Sequence, residues 1–166
     1  MGNDSTADQP SPVPVNDISN AVQIGAELNY TCALLTDKSI KCWGMNRVGQ
    51  LGNDSSSDQS TPVQVHNIST ANQLAVGCSH SCALLEDQTV ECWGWNYYGQ
   101  IGNDSTSDQL IPVRVHNINN AIDIVAGCHY SCAILSDHSV KCWSDTSYDI
   151  LLTPTDSLVP VEVSGI

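Results

Sequence analysis

The chain copies itself every fifty residues, and that period limits its possible folds more than any other property. Cys32, Cys82 and Cys132 share one register. Cys42, Cys92 and Cys142 share another, each followed by a tryptophan at Trp43, Trp93 and Trp143. Gly2-Asn3-Asp4-Ser5 returns at Gly52 and Gly102, and Pro12-Val13 returns at Pro62-Val63 and Pro112-Val113. A period of this length with strand-like content marks stacked units, such as propeller blades, that bury a continuous core only against their neighbours.

Within one unit the residues read as strands. Leu74 to Gly77 is a short apolar run, and Ser81–Leu85 and Thr89–Trp93 flank the polar turn Glu86-Asp87-Gln88, as in a hairpin. A loop rich in Gly, Asn, Asp and Ser follows, and then Ile111-Pro112-Val113-Arg114-Val115, whose proline suits an edge strand. No segment keeps a helical period. The predicted fold is all-β: a partial β-propeller of three four-stranded blades plus an extra terminal strand. Residues 1–166 form a single repeat array with units at 16–65, 66–115 and 116–163, and a strand at 11–15 belongs to an incomplete unit. The loop after Trp143 departs from the pattern, with Ser144 where Gly44 and Gly94 stand. Closed propellers use about 4 to 8 blades. Three blades therefore imply either self-association through open blade edges or membership of a longer ring.

The cysteines carry the sharpest chemical expectation. Cys32 and Cys42 lie symmetrically about Asp37, Cys82 and Cys92 about Asp87, and Cys132 and Cys142 about Asp137. Equal distance from a turn sets each pair opposite one another on one face of the hairpin, within disulfide reach at a non-hydrogen-bonded position. Three hairpin disulfides are expected. Cys78 and Cys128 are extra, replaced by Leu28 in the first unit. They are open to pairing with each other, to pairing with a hairpin cysteine, or to remaining free thiols. The grouping of Cys78, His80 and Cys82, or of Cys128, His129 and Cys132, superficially resembles a zinc ligand set. Its spacing differs between copies, so no metal is assigned.

The net charge of −13, from 18 acidic and 5 basic residues, opposes nucleic acid and anionic lipid and favours a basic partner. No stretch approaches the roughly 20 apolar residues of a membrane helix, and the N-terminus lacks a signal-peptide pattern. Eight cysteines nevertheless point to an oxidising compartment, so the segment is read as part of a longer secreted or cell-surface protein, with a cytoplasmic location as the alternative.

No nucleophile–base arrangement or phosphate-cradling loop recurs, so neither catalytic residues nor a cofactor are assigned. His80 aligns with Tyr30 and Tyr130, which suggests packing or hydrogen bonding rather than ionisation; His66 and His116 read as surface residues. The loop aspartates Asp4, Asp8, Asp54, Asp58, Asp104 and Asp108 read as turn formers, with calcium as the alternative. Asn3, Asn29, Asn53, Asn67 and Asn103 lie in sequons, which matter only in a eukaryotic secretory pathway. Trp43, Trp93 and Trp143 should face away from the cysteines, into the packing between blades. Trp95, Tyr97 and Tyr98, with Arg47 in the equivalent loop, are the candidate binding residues, because exposed loop aromatics often anchor partners.

The run Trp43-Gly44-Met45-Asn46-Arg47-Val48-Gly49-Gln50-Leu51-Gly52, nearly repeated at Trp93 to Gly102, resembles the repeat of the regulator of chromosome condensation family. The cysteine-bearing hairpin is most similar to a secreted bacterial branch of that family. The resemblance implies a propeller, usually of about seven four-stranded blades. Members include an exchange factor for the small GTPase Ran, a plant photoreceptor and domains of ubiquitin ligases, so fold alone does not assign a role. The expectation is a non-catalytic module that binds a protein or glycan. The alternatives are an exchange-factor-like regulator of a small GTPase and a structural fragment that self-assembles into a ring.

Overall fold

The computed structural model describes residues 2–144 and 157–163. Among the described residues twelve strands form three four-stranded antiparallel sheets. The first contains β1 (Ala21–Glu27), β2 (Tyr30–Leu35), β3 (Ile40–Gly44) and β4 (Gln59–Gln64). The second contains β5 (Ala71–Val76), β6 (His80–Leu85), β7 (Val90–Gly94) and β8 (Gln109–Arg114). The third contains β9 (Ala121–Ala126), β10 (Tyr130–Leu135), β11 (Val140–Ser144) and β12 (Ser157–Glu162). Each sheet runs in chain order, so each is one meander and one blade.

The central hairpins turn where an aspartate caps the bend. Asp37 Oδ1 accepts from Ser39 N at 3.1 Å and Ser39 Oγ at 2.6 Å, and Asp87 and Asp137 repeat the arrangement with Thr89 and Ser139. These bonds favour the charged carboxylate and hold all three aspartates below their usual range. The turn fixes the register, which sets Cys32 opposite Cys42, Cys82 opposite Cys92 and Cys132 opposite Cys142. Each pair is joined in a disulfide, with Cα atoms 4.1, 4.1 and 4.0 Å apart.

Because side chains alternate across a strand, the cysteine face and the tryptophan face of each blade are opposite, and neighbouring blades meet one face to the other. Cys32, Cys42, Leu34 and Ile40 pack with Ala83 and Trp93 of the second blade. Cys82, Cys92, Leu84 and Val90 pack with Ala133 and Trp143 of the third. Trp93 Nε1 donates to Gln50 O at 3.1 Å and Trp143 Nε1 to Gln100 O at 2.9 Å, so each indole is anchored by the preceding loop. Gly52 and Gly102 lie flat against these indoles with φ of +65° and +75°; a Cβ on either would come within 2.7 Å of the tryptophan Cδ1.

Polar bridges fasten the same boundaries. Gln23 accepts from Leu74 N at 2.9 Å and donates to Leu74 O at 2.7 Å, an amide standing in for a strand. Gln73 repeats this towards Ile124. Tyr30 Oη donates to Gly77 O or His80 O and lies 2.9 Å from Ser81 Oγ, while His80 Nε2 lies 2.8 Å from Ser131 Oγ. The ring position of one unit therefore reaches the serine of the next.

One expectation needs correction. Residues 11–15 form no strand. The ladders that join β4 to β3 and β8 to β7 have no equivalent at these residues. Instead Val15 and Ile18 pack against Ala33, Leu35 and Trp43, covering part of the first blade's outer face. The loop that loses the repeat pattern, 145–156, lies outside the described residues, although Ser144 keeps a positive φ of 147° at the glycine position.

Candidate binding surface on the second blade

The loop that follows β7 is held by hydrogen bonds from a buried side chain. Asn96 is buried and satisfies the loop from within: its Nδ2 donates to Asn103 Oδ1, Ser105 O and Ser107 O, and its Oδ1 accepts from Ile101 N. Asp108 Oδ1 accepts from Asn96 N at 2.9 Å. Asn46 and Asp58 do the same on the first blade. Asp58 and Asp108 therefore close loops by hydrogen bonding. Among the described residues no group of three metal-ligating side chains assembles.

On this frame stand Trp95, Tyr97 and Tyr98. Tyr97 is 68% exposed, and Trp95 and Tyr98 are half-buried. Trp95 stacks with Tyr97 at 6.4 Å between ring centroids and meets Tyr98 edge-on at 5.3 Å. Tyr97 and Tyr98 meet edge-on at 5.1 Å. His129, from the turn between β9 and β10, joins them at 5.5 Å from Trp95 and 4.8 Å from Tyr98. The cluster therefore bridges two blades. His129 is not apparent as a member from sequence, where it suggests only a metal ligand; its place depends on which turn of the next unit abuts this loop.

The backbone below is tied twice. Trp95 N donates to Ser79 O at 2.9 Å, and Cys78, beside Ser79, is joined to Cys128, beside His129. Cys78, Cys82, Cys128 and Cys132 are all in disulfides, so none presents a thiolate to zinc. Arg47 occupies the position of Tyr97 on the first blade's loop and is exposed, with Met45 and Val48 replacing Trp95 and Tyr98. The aromatic cluster is thus a property of the second loop rather than of the repeat.

Beneath the surface, His80 is fully buried and orders the boundary without ionising. Ser131 Oγ donates to Gln100 O at 3.0 Å and so accepts from His80 Nε2–H. Nδ1 then carries no proton and finds no partner among the described residues. Burial, with nearby His129 adding repulsion, pushes His80 down to about 3. His66 and His116 are exposed.

Two family models for the regulator of chromosome condensation (RCC1) repeat match, one over residues 42–84 and 89–134 and the other over 22–50 and 72–100. No curated protein sequence matches the chain significantly. The fold is similar to yeast RCC1 (Prp20) bound to Kap60, with 20% identity and a TM-score of 0.79 over 90% of this chain and 38% of that one. Human WBSCR16 aligns with 20% identity and a TM-score of 0.78, covering 88% and 40%. Prp20p from Saccharomyces cerevisiae aligns with 21% identity and a TM-score of 0.76, covering 90% and 39%. The chain spans about two fifths of the length of these structures. Its repeat motifs, its three meander blades and these matches agree: the chain belongs to the regulator of chromosome condensation (RCC1) repeat family.

Proposed function

We propose that the chain is an extracellular binding module, not an enzyme, and that Trp95, Tyr97, Tyr98 and His129 receive a basic segment of a protein partner. The observation that carries this reading is the aromatic cluster itself, rigidly mounted and open to solvent at Tyr97. A Lys or Arg side chain over such rings gains a cation–π contact, and a protein of net charge −13 attracts it from a distance. Protein partners are also the kind named for the structural neighbour Prp20p, described by its binding to Gsp1p and histones. Four disulfides suit an oxidising compartment.

The test is a fluorescence titration with synthetic peptides graded in arginine content, alongside a panel of neutral oligosaccharides. Arginine-rich peptides should bind, weaken with salt, and lose about tenfold in affinity with Trp95→Ala or Tyr97→Ala. Saturable oligosaccharide binding that Tyr97→Ala abolishes, with no peptide binding, would replace this reading with the glycan one.

A second reading, self-assembly, rests on the two ends of the array. Ile24 is 65% exposed where its equivalents Leu74 and Ile124 are each 3% exposed, and Val125 is 53% exposed where Ala75 is 8% exposed. Ile24 and Val125 thus lie on blade faces whose equivalents the chain buries twice between its own blades, and a second copy could cover them. Sedimentation should show association that Val125→Glu and Ile24→Lys each weaken; a concentration-independent monomer rejects this reading.

A further inference from the structure

The four disulfides are not equivalent. Cys32, Cys42, Cys82 and Cys92 are each at most 1% exposed, sealed between blades. Cys132 is half-buried at the end of the array, opposite the buried Cys142. Cys128, by contrast, is exposed and Cys78 half-buried, on turns at the surface. This bridge closes no hairpin. It joins the turn after β5 to the turn after β9, fifty residues apart and on neighbouring blades.

Each of those turns also supports the aromatic cluster. Ser79 O holds the Trp95 backbone, and His129 packs its ring on Trp95 and Tyr98. The first blade has Leu28 at the equivalent position and no aromatic cluster on its loop, so bridge and cluster occur together.

We propose that Cys78–Cys128 is a thiol–disulfide exchange site, open to an external dithiol, and that its opening loosens His129 from the aromatic surface. A thiolate of the dithiol attacks Cys128 Sγ, the accessible sulfur, and forms a mixed disulfide while the Cys78 sulfur leaves as thiolate and takes a proton from water. The second thiolate of the dithiol then attacks its own bridged sulfur and releases Cys128 as a thiolate, which is protonated in turn. The dithiol departs as a cyclic disulfide, having given two electrons. The hairpin bridges stay closed because reaching them requires parting two blades. The exchange step stands on burial and connectivity alone; its consequence for ligand binding rests on the reading above.

The experiment uses the oxidised, folded chain and no ligand, so it separates failure of the exchange site from failure of the binding assignment. Dithiothreitol is added in the absence of denaturant, free thiols are trapped with iodoacetamide at intervals, and peptides are mapped by mass. Cys78 and Cys128 should be alkylated about tenfold or more sooner than Cys32, Cys42, Cys82 and Cys92. Trp95 is half-buried while Trp43, Trp93 and Trp143 are buried, so acrylamide quenching reports on Trp95. Quenching should rise at the rate at which Cys78 and Cys128 are trapped, and a Cys78→Ser, Cys128→Ser double variant should start at the raised value. Equal trapping of all eight cysteines overturns the exchange site. Unchanged Trp95 quenching in wild-type protein with the bridge opened overturns its link to the aromatic surface.

Discussion

His80 makes the folded chain sensitive to acid in a window set by two numbers. Its imidazole titrates at 6.5 when exposed and at about 3 in the buried site. Between those values the unfolded chain binds a proton at His80 and the folded chain does not. The stabilisation is therefore complete above pH 6.5, is lost as pH falls towards 3, and is flat below. Each unit of separation is worth about 1.4 kcal/mol, so the full window is worth on the order of 5 kcal/mol, and about 3 of this is spent by pH 4. The perturbation is His80→Tyr, because Tyr30 already fills this position and reaches Gly77 O, His80 O and Ser81 Oγ. Gly127 O, Tyr130 O and Ser131 Oγ are the matching groups one blade on. Urea unfolding at pH 7 and pH 4 gives each protein's loss of stability, and the carboxylates common to both cancel in the difference. Wild type should lose about 3 kcal/mol more than His80→Tyr. Parallel losses would refute the argument.

Gly52→Ala combines a left-handed backbone with a Cβ 2.7 Å from Trp93 Cδ1 and should cost about 2–4 kcal/mol in urea unfolding. Gln23→Ala strips both bonds from the Leu74 peptide groups and should cost about 1–3 kcal/mol in the same assay, with faster amide exchange at Leu74.

The residues reveal the hairpins directly, because symmetry about Asp37, Asp87 and Asp137 is a local property of a two-strand turn. The opposition of cysteine and tryptophan faces follows from strand alternation for the same reason. What depends on neighbouring units is harder to read. Pro12-Val13 has the composition of an outer strand, yet it lies in exposed coil, while the nearby Val15 and Ile18 pack against Trp43. His129 and Trp95 lie 34 positions apart in sequence, and only the blade-to-blade offset brings their rings to 5.5 Å. Asn96 reads as one more polar loop residue, whereas its burial makes it the hub that holds the aromatic loop in shape. Local pattern carries the blade; the surface assembled from two blades depends on how they stack.

Peptide mapping of the unreduced protein reads strand register and blade order together. Cys32–Cys42, Cys82–Cys92 and Cys132–Cys142 report the hairpin turns, and Cys78–Cys128 reports which turns face each other across a blade boundary. The predicted result is these four linked peptides and no alkylatable thiol. Free cysteines in the hairpins, or bridges crossing between them, would contradict the fold.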